Sequence, residues 1–334
     1  MISADLRWPD GTGIGVCQQE LLLRLRKNVE IVDIEVRGRI GSSTSPLRIA
    51  TALAFNRERS DAFWSPGFIP PAWSQVPSVV TVHDLTHLHF YSKFHAAYYN
   101  LILKPLYKRC AAVICVSDYT RDEFLEWSDM DPHHVHTIHN GVSTNFHRNA
   151  ATFNVGHPYI LYPGNKRPYK NVNGLLRAFR SSRLPSEGFK VVMTGSATPE
   201  LQKAISSLDL QDAVIFLGHV PDEQLPALYR GARLTVFVSL YEGFGLPIVE
   251  SMAVGTPVIT SNVSSMPEMA GDAALIVPPL DIEAVAHAMD RLAFESELRT
   301  SLITKGFDRA SSFSWDAAAA STWDVIRSAV GSGR

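Results

Sequence analysis

Two doubly wound α/β domains are what this sequence predicts, from three observations. Short apolar runs rich in β-branched residues alternate with amphipathic stretches along the whole chain. The runs are continuous rather than alternating, as strands covered on both faces of a parallel sheet are. At 334 residues the chain also exceeds what one typical core supports, so two cores are expected.

Composition narrows the function classes. A hydrophobic fraction of 46% and a formal net charge of -2 fit an ordinary soluble globular protein, and no basic excess points to nucleic acid. Cys17, Cys110 and Cys115 form no CxxC pair and no even set, which predicts reduced thiols in a cytoplasmic protein. Neither a signal-peptide pattern nor an apolar run long enough for a bilayer is found, so a spanning segment is not expected.

In chain order, ISADL, EIVDIEV, SVVTVHDL and AAVICVS are the predicted strands of the first half. PYILYP, KVVMTG, AVIFLG, LTVFVSL, TPVIT and ALIVP are those of the second. CQQELLLRLRK, VNGLLRAFRS, EQLPALYRGA and IEAVAHAMDRLAF supply amphipathic crossover helices. The segment His139–His157 is polar, carries Asn-Gly and lacks periodicity. Reading it as the linker gives domains over 1–150 and 151–334. Ser42–Ser45 reads as a short polar loop, and no internal repeat is present.

Tyr241–Thr260 reads YEGFGLPIVESMAVGTPVIT and follows the apolar run Leu234–Leu240. A buried strand, a turn at Gly243 and Gly245, and a helix opened by Pro247 and stopped by Gly255 together form an anion site. Free N–H groups and the positive end of the helix dipole face the ligand there, and glycine lets it approach the backbone. Glu250 lies one turn inside the helix and leans toward its start, while Glu242 approaches from the loop. Two carboxylates repel phosphate, so their natural partners are hydroxyl groups flanking it. An anion with hydroxyls on both sides is a sugar nucleotide. The competing reading makes Glu242 a solvated loop residue and Glu250 a helix-dipole partner.

With these residues in place, the chain resembles the retaining glycosyltransferases of family 4. Their E-x7-E motif matches Glu242 through Glu250 with the GFGLP core intact. YILYPGNKRPYKNVNGLLRAF and the long run from VIFLGHVPDEQL to ALIVPPLD follow the family pattern, so the likeness covers nearly the whole chain. The resemblance implies the GT-B fold, with two Rossmann-like domains facing across a cleft and the donor held mainly by the second. It further implies that Glu242 contacts the transferred sugar and Glu250 the ribose. Phe244, Gly245 and Leu246 would meet the diphosphate or sugar through their backbone.

A diphosphate needs positive charge, and Gly164–Asn171 (GNKRPYKN) offers Lys166, Arg167 and Lys170. Lys170 aligns with the lysine of the family. Asn165 stands where the family often has arginine, which leaves Lys166 and Arg167 open as the second cation; a solvated basic turn is the plain alternative. DLRWPDGTGIGV places Gly11, Gly13 and Gly15 between a strand and a helix. This resembles the family's first-domain loop near the donor phosphates, although the spacing is not GxGxxG. SVVTVHDLTHL sets His83 and Asp84 at the carboxyl end of a strand. By resemblance His83 lies beside acceptor and reacting sugar; a histidine satisfied by a backbone partner is the other reading. Ser117 reads as a helix cap.

Asp129-x-Asp131 has the spacing of a divalent-ion site but sits before Pro132 and reads as a turn. His133, His134, His136 and His139 fall where the family has a strand, so no metal and no cofactor is expected. KFHAAYYNLILKPLYKR mixes aromatics with Lys93, Lys104, Lys108 and Arg109 and reads as either a plain surface helix or a face for anionic lipid. The resemblance implies front-face substitution with retention of configuration. The loops TGIG, TVHDL and NVSSMPE look most like those of bacterial mannosyltransferases, which favours GDP-mannose as donor, its base near Gly218–Val220. The expected acceptor is a glycan or polyprenyl-linked oligosaccharide, and the expected location is cytoplasmic, with peripheral attachment at the inner face of the membrane left open. The alternatives are a UDP-sugar glucosyl or rhamnosyl transferase, a sugar-nucleotide epimerase, a glycan phosphorylase, and a non-catalytic nucleotide-sugar-binding protein. FSWDAAAASTWDVIRSAV is expected as a final helix crossing the domain junction, a placement borrowed from the fold.

Overall fold

The computed structural model describes residues 1–25, 29–56 and 60–332. It separates into two compact units, Met1–Gly141 with Ser314–Arg334, and Val142–Phe313. The division at 141/142 lies inside the polar segment read as a linker, earlier than the expected boundary at 150. Residues 142–157 belong to the second unit, because Phe146, Ala150, Phe153 and Val155 pack on Tyr159, Leu228 and Tyr229. Phe153 N donates to the Ala227 carbonyl at 2.9 Å. These contacts come from irregular backbone, which is why periodicity did not reveal them. The final helix, Trp315–Ser332, is part of the first unit, where Trp323 meets Trp64 edge-on at 5.2 Å.

The first unit holds six parallel strands: β1 (Ile2–Ala4), β2 (Ile31–Asp33), β3 (Ala62–Ser65), β4 (Ser78–Val82), β5 (Ala112–Cys115) and β6 (Val135–Thr137). Their order is β2-β1-β3-β4-β5-β6. β3, reading AFWS, is fully buried between β1 and β4. Ser45 is not in a loop but opens the helix Ser45–Phe55. Of CQQELLLRLRK, the helix Gly13–Leu23 takes the first part, and residues 26–28 lie outside the described residues.

The second unit repeats the plan with β7 (Tyr159–Tyr162), β8 (Lys190–Met193), β9 (Val214–Phe216), β10 (Leu234–Phe237), β11 (Val258–Ser261) and β12 (Ala274–Val277). Their order is β12-β11-β10-β7-β8-β9, again all parallel. Helix Val172–Ser181 shows why its sequence folds so. Val172, Leu175, Leu176 and Phe179 recur at helical spacing, and all are buried in the core with Val191, Met193 and Val236.

The strand order places the site. Chain direction along the second sheet reverses between β7 and β10, and loops leaving the carboxyl ends of strands diverge at such a point, opening a crevice. In the first unit the corresponding pair is β1 and β3.

Candidate active site

Both loops at the β7/β10 point carry the residues expected to matter. β10 ends at Phe237, and the apolar residues after it do not extend the strand. Leu240 N donates to the Tyr169 carbonyl at 2.7 Å, and Asn171 Nδ2 donates to the Val238 carbonyl at 3.0 Å. The predicted strand Leu234–Leu240 is therefore shorter, its last residues being held by the neighbouring loop instead of by a strand.

That docking brings Lys170 to Glu242. Lys170 Nζ donates to both Glu242 carboxylate oxygens at 2.7 Å, with side-chain exposures of 13% and 11%. The ammonium also lies 5.2 Å from the Tyr169 ring centre and 5.6 Å from that of Phe237. The charge of Glu242 is thus balanced by Lys170, so this carboxylate adds little net negative charge to its surroundings.

Gly245 takes the left-handed region, at φ 104° and ψ 51°, and caps the helix Leu246–Ala253. Pro247 occupies the second helical position, one later than expected. Gly255, at φ 81°, follows the helix end as anticipated. Phe244 is buried, its ring edge-on against Phe313 at 5.7 Å, which anchors the turn.

Glu250 is partly exposed, and its Oε2 accepts from the hydroxyl of buried Tyr229 at 2.8 Å. Burial of the carboxyl group pushes its pKa up to about 7; the Tyr229 bond counters this and the charge of Asp222 adds to it. At neutral pH such a group can accept from a hydroxyl or donate to one.

The basic turn divides into separate tasks. Lys166 Nζ donates to the Thr194 carbonyl and lies 5.9 Å from the Phe216 ring centre, and burial lowers its pKa. Arg167 is exposed, its backbone N–H held by Asn165 Oδ1 at 3.2 Å. Gly164, at φ 139°, donates its N–H to Thr194 Oγ1 at 3.2 Å. Beyond β8 and β9, Gly195 N donates to the Gly218 carbonyl at 2.6 Å, both glycines being left-handed.

In the first unit His83 follows β4, and its Nε2 lies 2.7 Å from the Pro66 carbonyl. Bonding to a carbonyl makes Nε2 the protonated nitrogen and Nδ1 the acceptor. Burial lowers the His83 pKa, partly offset by that carbonyl and by Asp84. Asp84 Oδ1 accepts from Thr86 N at 2.9 Å. Gly13 and Gly15 lie in the first turn of the helix Gly13–Leu23, capped by Thr12, and not between strand and helix as expected. Gly15 is buried, and a Cβ there would collide with the Pro9 carbonyl; Gly13 is exposed with open space around its Cα.

The family description "Glycosyl transferases group 1" matches residues 143–309, and "Glycosyltransferase Family 4" matches residues 26–146. O-antigen chain mannosyltransferase B of Escherichia coli is 33% identical over 258 residues, spanning 72% of this chain and 67% of that protein. The chain is a family 4 glycosyltransferase. O-antigen chain mannosyltransferase RfbU of Salmonella typhimurium is 30% identical, over 64% of this chain and 60% of its own length. Sucrose-phosphate synthase of Thermosynechococcus elongatus superposes with a TM-score of 0.80 at 18% identity, covering 99% of each chain. Anabaena HepE in complex with UDP and glucose gives 0.78 at 16%, covering 98% of this chain and 99% of that one. These structural matches establish the GT-B fold.

Several contacts in this glycosyltransferase escaped the sequence reading. Ser264 Oγ accepts from Glu242 N at 3.0 Å, and buried Ser265 donates to the carbonyls of Glu242 and Phe244, both at 2.9 Å. Ser264 adopts φ 52° to do so. Ser265 stands at the cap position of the helix Met266–Ala270 without a side-chain cap bond, so no local rule pointed to these contacts. Asp129 pairs with Lys104 at 2.7 Å and Asp131 accepts from His133 N at 3.0 Å, as a turn requires. Ser117 caps its helix through Thr120 N at 3.1 Å. His134 Nδ1 bonds the Ala111 carbonyl at 2.8 Å, and His136 lies on β6.

Proposed function

We propose that this glycosyltransferase moves an α-mannosyl group from GDP-mannose to a glycan or polyprenyl-linked oligosaccharide, with retention of configuration and without a metal ion. The Lys170–Glu242 pair, set against the start of helix Leu246–Ala253, is the observation that carries this reading. Helix-terminal N–H groups and Lys170 would stabilise the departing diphosphate, while Glu242 would orient the transferred sugar. Lys166 or Arg167 would supply the second cation; Lys166 Nζ also bonds the Thr194 carbonyl. Glu250, supported by Tyr229, would take the ribose, and the backbone around Gly218 the base. Gly13 would serve the donor phosphates and His83 the acceptor or reacting sugar. Names of the relatives, both O-antigen mannosyltransferases, support mannose.

The substitution proceeds on one face. The sugar–phosphate bond loosens, the acceptor hydroxyl attacks from the same side, and its proton passes to the leaving phosphate oxygen. A double displacement needs a free carboxylate nucleophile about 5 Å from an acid. Glu242, held by Lys170, is a poor candidate for that nucleophile. The test is product analysis with GDP-mannose and UDP-glucose, each supplied with a polyprenyl-linked acceptor. An α-mannosylated product and GDP release are expected; donor interconversion, phosphorolysis or a β-linked product would contradict the proposal.

A membrane-facing role is supported by the segment around Lys93–Tyr107. Phe94, Leu101 and Ile102 are 85%, 73% and 45% exposed, close in sequence to Lys93, Lys108 and Arg109. No helix among the described residues is long and apolar enough to cross a membrane. Attachment at the inner, cytoplasmic face through this strip accords with a lipid-linked acceptor. Co-sedimentation with anionic vesicles, lost in Phe94→Ser/Leu101→Ser, would test it.

A further inference from the structure

The crevice at the carboxyl ends of the second sheet is not the only concavity of that unit. At the opposite edge, where the strands begin, a cavity of ≈ 430 Å³ is lined by Pro158, Arg233, Gly255, Pro257, Arg299 and Ile303, among others. Pro158, Arg233 and Pro257 directly precede β7, β10 and β11, so the cavity lies at the amino edge of three neighbouring parallel strands.

Two arginines, Arg233 and Arg299, line this space. Arg299, on the helix Ser296–Ser311, is anchored: its Nη1 donates to the Leu292 and Ala293 carbonyls, both at 3.2 Å. Arg233 is exposed, and its backbone N–H is tied to the Tyr159 carbonyl at 2.8 Å. Among the described residues no carboxylate pairs with either guanidinium. Burial and the positive charge of Arg233 both lower the Arg299 pKa. Arg291 of the preceding helix, by contrast, pairs with the Glu295 carboxylate. Two like charges lining one cavity, without a counter-charge, repel each other unless an anion lies between them.

We propose that this cavity is a second ligand site, which binds a small phosphorylated molecule through Arg233 and Arg299. A phosphate monoester fits the chemistry. Its oxygens accept two parallel N–H bonds from a guanidinium, and two arginines match its double charge. The walls formed by Pro158, Pro257 and Ile303 are apolar and would cover the organic part, as in a small-molecule pocket. This site takes no part in the donor chemistry above and stands whichever sugar is transferred.

Calorimetric titration of the full chain with glucose 6-phosphate, inorganic phosphate and free glucose tests the assignment. Both phosphates are expected to bind and glucose not to. Arg233→Gln should weaken binding about tenfold or more, the loss of a charged hydrogen bond. Arg299→Lys, which keeps the charge and the helix but loses the fork, should weaken it as well. Lys170→Ala should leave it unchanged, which separates this site from the donor crevice. Tighter binding of glucose 6-phosphate than of phosphate identifies an ester ligand; equal binding identifies the phosphate group alone. Absence of binding, binding unaffected by Arg233→Gln, or binding abolished by Lys170→Ala would each overturn the proposal.

Discussion

Lys170 reaches both carboxylate oxygens of Glu242 at 2.7 Å, joining the loop after β7 to the loop after β10. Lys170→Ala should leave a folded protein whose turnover falls by about 100- to 1,000-fold, the usual effect of removing one group that stabilises developing charge. Because each residue positions the other, Lys170→Ala and Glu242→Gln should be strongly non-additive. A double-mutant cycle on kcat, with folding checked by circular dichroism, measures this. Additive losses would mean that the two act separately.

Glu250 gives the enzyme a pH dependence of defined sign. Its pKa of about 7 lies above the ordinary carboxylate value, so the folded chain binds more protons than the unfolded one between pH 4.5 and 7. The favourable protonation is present below pH 4.5 and is lost as pH rises through 7. Glu250→Gln should therefore flatten the stability profile over that range, by about 1–3 kcal/mol. If the ionised group accepts from ribose, nucleoside diphosphate affinity should rise from pH 6 to 8 in the parent and stay level in Glu250→Gln. Urea melts and calorimetry across that range test both.

Gly13 and Gly15 stand two residues apart and make opposite predictions. Gly15→Ala puts a methyl group into the Pro9 carbonyl and should destabilise by about 2 kcal/mol or more. Gly13→Ala meets open space and should change stability by less than about 1 kcal/mol. A loss of kcat/KM in Gly13→Ala with the melting temperature preserved would place this helix start at the donor.

Ser265→Ala removes the hydroxyl that bonds the Glu242 and Phe244 carbonyls. The cost should be about 1–2 kcal/mol of stability. Since the turn carrying Glu242 loosens, kcat should fall more than KM changes. A change in KM alone would argue against a positioning role.

The apolar run before Glu242, the GFG turn and the helix that follows were legible because they are contiguous and each obeys a local rule. Most strands were legible for the same reason. β3 was not, since four residues after a charged stretch carry too little pattern. Tyr229 on Glu250 and Ser265 under Glu242 are 21 and 23 residues away from their partners, and folding alone brings them together. The segment 142–157 looked like a linker because its apolar residues follow no period.

Asn171 is a clasp at the carboxyl edge of the second sheet. At φ 55° it donates its amide to the Val238 and Pro279 carbonyls, at 3.0 and 2.7 Å. One side chain thus fastens together the exits of β7, β10 and β12. A donor bound there, as proposed above, would meet loops already cross-linked by these two bonds, so less of its association free energy would go to ordering them. Tightening of the complex then depends on contacts formed, and little on the entropy of a closing segment.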